Sequence, residues 1–233
     1  MIHSLDLNER RHQTRKMLTG ILGESFYLVF SSELGLQCHG RLGGMTAVGL
    51  SALVRESMPD KYVGPLPAIA IVDDRLRDGT YSPEGSAMVF DAFALHEISH
   101  IVASNVTANI CPELDQESLR DLVQIPSTEW ASHAGPLRWA GHDSKFIRAL
   151  CHVAHRMQSR RHWVPLDIAF CHQSYGLSSA EEYAAALDDE CCAMSWLPLS
   201  EALGRPMPAK FQKLWTDDVV RSLKVVPVSK GQT

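Results

Sequence analysis

Residues 92–103 read Ala-Phe-Ala-Leu-His-Glu-Ile-Ser-His-Ile-Val-Ala, placing three ionisable side chains inside an apolar run. This segment constrains the chain more than any other. Phe93, Leu95, Ile98, Ile101 and Val102 surround His96, Glu97 and His100 with apolar surface, so the segment is expected to be a largely buried helix. Three grouped ionisable side chains are costly to bury without a partner. On a helix, residues four apart lie one above the other, which lets both imidazoles reach one metal ion about 2 Å away. Glu97 follows His96 by one residue and leans to one side of that face, within reach of a water in the metal's open position. Such a metal lowers the pKa of water toward neutrality, and a carboxylate beside it can take the proton. The expected roles are therefore His96 and His100 as zinc ligands and Glu97 as general base.

A catalytic zinc normally takes a third protein ligand. Two known extensions of the motif fail here. One wants Gly and then His soon after the motif, where this chain has Ala103 and Val106. The other wants Glu after an eighteen-residue gap, where it has Leu119. His133, His142, Glu129 and Glu190 remain open. His142 is favoured because it follows Gly141 immediately before a helix that Asp143 or Ser144 can cap.

A buried His-Glu-x-x-His helix, followed by a His at the start of a later helix with an aromatic four residues on, resembles the SprT-like metallopeptidases. The later element in that family is His-Gly-x-x-Phe or His-Gly-x-x-Trp, and the matching residues here are His142, Asp143 and Phe146. Asp143 stands where glycine is usual. The gap from His100 to His142 is long, implying an insertion around residues 111–132, and no cysteine-rich zinc ribbon follows. The resemblance covers roughly residues 68–156. It implies an α+β, zincin-like fold: a small sheet packed on the motif helix, with additional helices and a third His ligand. It also supplies the only reason to consider nucleic acid as a partner.

Elsewhere, helices are expected over residues 6–23, 86–104, 144–161 and 178–196, with Ser82-Pro83 as a start signal and Ser179 to Glu182 as a capping box. Residues 46–57 also read as helical. Phe26 to Phe30 and Ala68 to Val72 read as strands. Pro198, Pro206 and Pro208 are expected to end the regular region. Residues 1–223 are expected to form one metallohydrolase domain and 224–233 a loose tail.

Hydrophobic residues make up 45% and charged residues 21%, the balance of an ordinary soluble globular protein. The net charge of −5 does not favour a chain that grips phosphates. The one basic cluster, Arg156, Arg160, Arg161 and His162, is expected to be a solvated helix end. No apolar run reaches the roughly 18 residues that span a bilayer, and the polar start lacks a signal-peptide core. Six cysteines without C-x-x-C spacing fit a cytoplasmic protein with reduced thiols. Cys151 is expected to pack as a small apolar residue, and His152 and His155 to be surface imidazoles rather than ligands. Tyr175, His172, His133 and Tyr183 are each able to donate to an oxyanion, but a structural role is the first expectation for each. Together these readings point to a zinc metallopeptidase acting on a protein or peptide. The alternatives are a zinc hydrolase of a non-peptide amide and a catalytically silent zincin-like domain that binds a protein partner.

Overall fold

A computed structural model describes residues 6–23, 26–34, 44–48, 68–72, 76, 82–103, 144–170 and 178–225. Helix α1 spans Leu7–Leu22. Asp6 caps its start, accepting from the Asn8 N–H at 3.1 Å, and Gly23 ends it with a left-handed φ of 75° that a Cβ would disfavour. Thr14, Leu18 and Ile21 recur at helical spacing and form its buried face.

Strands β1 (Phe26–Phe30), β2 (Gly44–Val48) and β3 (Ala68–Val72) form one sheet in the order β1-β3-β2. β3 runs parallel to β1, with Phe26 opposite Ala68, and antiparallel to β2, with Gly44 opposite Val72. All five residues of β1 are buried, which is why that strand reads as an unbroken apolar run without alternation. The expected helix over 46–57 is corrected at its start: Thr46 to Val48 are strand, paired with the Ala68 to Ala70 end of β3. The remainder of that stretch lies outside the described residues.

The motif helix, α2, runs Pro83–Ala103. Ser82 opens it by accepting from the Gly85 N–H at 3.1 Å, and Pro83 occupies the first turn, where its missing N–H costs nothing. Phe90, Ala92, Ala94, Leu95 and Ile98 are fully buried. α2 packs against β2, β3 and α1, and against α3 (Ser144–Ser159) and the short α4 (Leu166–Phe170). Asp91, also fully buried, fixes this packing. It accepts from Thr14 Oγ1 at 2.7 Å, Arg10 Nε and Nη2, and His162 Nε2 at 2.8 Å. One carboxylate thus joins α1, α2 and the turn after α3.

The expectation of a solvated basic helix end holds for Arg160 and Arg161, which are exposed, and is corrected for Arg156 and His162. Arg161 takes φ 59° while the N–H groups of Arg161 and His162 return to Gln158 and Met157, closing the helix in a Schellman-type turn. The turn aims His162 at Asp91. Arg156 is also buried, and its Nη2 donates to the Met194 carbonyl at 3.1 Å.

Helix α5 (Ala180–Met194) starts with the expected capping box: Ser179 Oγ accepts from the Glu182 N–H and Glu182 Oε2 from the Ser179 N–H. Two further helices follow, α6 (Leu199–Gly204) and α7 (Ala209–Val225). The three prolines therefore do not end the regular region. Pro198 and Pro208 precede helices, and their carbonyls accept the first helical N–H bonds, from Ala202 and Gln212. α7 also runs past the expected tail boundary at residue 224. Among the described residues, no helix is long and apolar enough to cross a membrane.

Candidate metal centre

His96 and His100 stand one turn apart on α2, as their spacing dictates. Their Nε2 atoms converge to 3.1 Å, with the rings edge-on at a centroid distance of 4.8 Å. Two nitrogens each about 2.0–2.1 Å from a tetrahedral zinc stand about 3.3 Å apart. The pair therefore already has close to the separation that one metal ion demands.

Three contacts hold it so. His96 Nδ1–H donates to the Ala169 carbonyl on α4 at 2.7 Å. That bond fixes the proton on Nδ1 and leaves Nε2 as the lone-pair nitrogen, the usual device for presenting a histidine to a metal. Phe146 on α3 stacks on the His100 ring at 4.3 Å and meets the His96 ring edge-on at 4.9 Å. Phe146 is fully buried, so it excludes water from one side of the pair. Glu97 is only 3% exposed and sits one residue round the helix from His96. The residues present fit a divalent metal: two convergent imidazole nitrogens, a backbone acceptor fixing one tautomer, and a buried glutamate next in sequence to one of the histidines.

Of the candidate third ligands, His142, His133 and Glu129 lie outside the described residues, as do His172 and Tyr175. Glu190 is described, and its bonds go elsewhere. Its Oε1 accepts from Arg148 Nε at 2.8 Å and His152 Nε2 at 2.8 Å, and pairs with Arg148 Nη2 at 2.7 Å. Arg148 in turn donates to the carbonyls of Ala202, Leu203 and Arg205, closing the end of α6. Burial alone would raise the Glu190 carboxyl, but hydrogen bonds from His152 and Arg148 outweigh it and hold the group below its usual range.

The expectation for His152 is corrected, and that for Tyr183, a structural role, is met. His152 is not a surface imidazole; it is 1% exposed and belongs to the Glu190 cluster. Tyr183 is buried, and its hydroxyl donates to Asp218 Oδ2 at 2.6 Å. Burial and that bond push its phenol well above its ordinary range, so the hydroxyl is committed to the α5–α7 junction. Cys151 does pack as a buried apolar residue, with burial raising its thiol. Sequence reasoning missed the Ala169 carbonyl, for which no side chain gives a sign. Compared with protein-family models, with curated proteins and with solved structures, the chain gives no significant match in any of the three.

Proposed function

We propose that this chain is a zinc-dependent peptidase of the zincin type, akin to the SprT-like family, that hydrolyses peptide bonds in a protein or peptide substrate. The observation that carries the reading is the pair of Nε2 atoms 3.1 Å apart on the helix that also carries the buried Glu97, one residue along from His96. His96 and His100 would hold the metal, with His142 as the favoured third ligand. A zinc ion there supplies Lewis acidity, lowering the pKa of water and polarising the scissile carbonyl.

The chain's own groups supply the rest. The Ala169 carbonyl keeps the His96 proton on Nδ1, and Phe146 packs against one side of the two half-buried rings and keeps them in register. The Glu97 carboxylate takes a proton from the attacking water as the new C–O bond forms at the carbonyl carbon. It then returns that proton to the amide nitrogen as the C–N bond breaks, so water is consumed and an acid and an amine are released. Burial of Glu97 keeps its carboxylate away from bulk water. Cys151, Cys191 and Cys192 are free, which supports a reducing compartment such as the cytoplasm.

Glu97→Gln tests the reading. The amide keeps the size and can hydrogen-bond, but it cannot accept the proton. Hydrolysis of an unfolded protein should fall by about a hundred- to ten-thousand-fold at equal zinc content, with zinc affinity little changed. Equal activity in the two proteins would remove Glu97 from the mechanism. If both bind zinc and neither cleaves any member of a broad substrate panel, a non-catalytic binding role takes over.

A further inference from the structure

A second group of metal-ligating side chains lies between α3 and α5 and shares no residue with the His96/His100 pair. His155 comes from α3. Asp188 and Cys192 come from α5, four residues and therefore one turn apart on the same face. One donor atom from each lies within 4.8 Å of the other two, and Cys192 Sγ is 3.9 Å from Asp188 Oδ1. The group sits at the rim of a cavity of about 110 Å³, which His155, Asp188, Trp163 and the buried thiol residues Cys151 and Cys191 help to line.

We propose that His155, Asp188 and Cys192 form a second divalent-cation site that clamps α3 to α5. A tetrahedral ion with N, O and S ligands needs donor separations of about 3.3–3.7 Å. The three side chains must close by about an ångström from where they stand, within the reach of rotamer adjustment at two exposed residues and one half-buried one. The donor set decides the ion. A thiolate and an imidazole favour a borderline-soft cation, zinc above all, over calcium or magnesium, which take oxygen ligands. The two anionic ligands, Asp188 and the Cys192 thiolate, balance the charge of the ion. On binding, the Cys192 S–H bond is replaced by an S–metal bond and the proton leaves to solvent; nothing is oxidised or reduced. The clamp reaches the first centre through helix α3, which carries Phe146 onto the two imidazoles.

Cobalt(II) is the probe, because a thiolate ligand gives a sulfur-to-cobalt absorption band in the near ultraviolet that imidazole and carboxylate ligands do not. The full chain should take up cobalt with this band, and zinc should displace it. Cys192→Ser should lose the band and one equivalent of metal while keeping the circular dichroism of the parent. His155→Ala and Asp188→Asn, which leave the thiol in place, should each weaken that equivalent at least about tenfold. His96→Ala should leave the band intact, so loss of the first centre and loss of the second are told apart. A parent chain without the band, or a folded Cys192→Ser chain that keeps both the band and the equivalent, would overturn the proposal.

Discussion

Replacing Glu190 by Gln separates a metal ligand from a structural ion pair. The carboxylate is 5% exposed and its partner Arg148 only 2%, so both charges sit away from water. Removing one partner of a buried pair costs about 3–5 kcal/mol, because the other is left uncompensated. Here Arg148 keeps three backbone carbonyls as acceptors, and Glu190 Oε2 has no hydrogen-bond partner to lose. Both features place the cost at the low end, about 3 kcal/mol. For a chain of this length that is a fall in melting temperature of about 6–12 °C. The pH dependence carries a definite sign. The folded Glu190 carboxyl lies below its ordinary value of 4.5, so its contribution is complete above that value and is lost as pH falls through the folded pKa. The stability gap between parent and variant should therefore be widest near neutral pH and close in acid. Urea unfolding across a pH series, with a zinc titration at pH 7, reads both effects. A gap under about 0.5 kcal/mol at pH 7 would refute the ion-pair reasoning, since that is the scale of an ordinary surface substitution. A variant of unchanged stability but weakened zinc binding would make Glu190 a ligand after all.

Other substitutions probe the same network. His142→Ala should weaken zinc binding far more than His133→Ala, ranked by chelator competition; the reverse order would give His133 the third position. Tyr183→Phe removes one hydrogen bond to the buried Asp218 carboxylate and should cost about 1.5 kcal/mol in unfolding experiments while leaving turnover unchanged. A large fall in turnover with little loss of stability would return Tyr183 to the reacting centre. Asp91→Asn should destabilise by about 2 kcal/mol, less than a fully buried pair because Arg10 and His162 are 22% and 16% exposed and can be rehydrated. A neutral result in denaturant titration would show that the carboxylate does not anchor α1 to the motif helix.

Local chemistry made several elements legible in the sequence. Asp6 and Gly23 bound α1, Ser82-Pro83 starts α2, and Ser179 with Glu182 starts α5; each is a bond within four residues and needs no distant partner. The placing of His96 and His100 on one face belongs to the same class, because the pitch of one helix sets it, while Ala169 and Phe146 from other elements hold the two rings at their close approach. The environment of a side chain is a different matter, since it depends on what a second element brings to it. His152 and His155 are three residues apart on α3, yet His152 is buried because Glu190 of α5 meets it, while His155 stays partly exposed at the rim of a cavity. Thr46 to Val48 are strand because β3 offers them a hydrogen-bonded edge. The tautomer of His96 is set by the Ala169 carbonyl, a backbone atom that every residue type carries and that no sequence pattern can mark. Sequence alone determined which groups could act together along one helix. The tertiary structure decided which of them are dry, paired and held in place, because burial and hydrogen bonding between elements distant in the chain are properties of packing and not of any one segment.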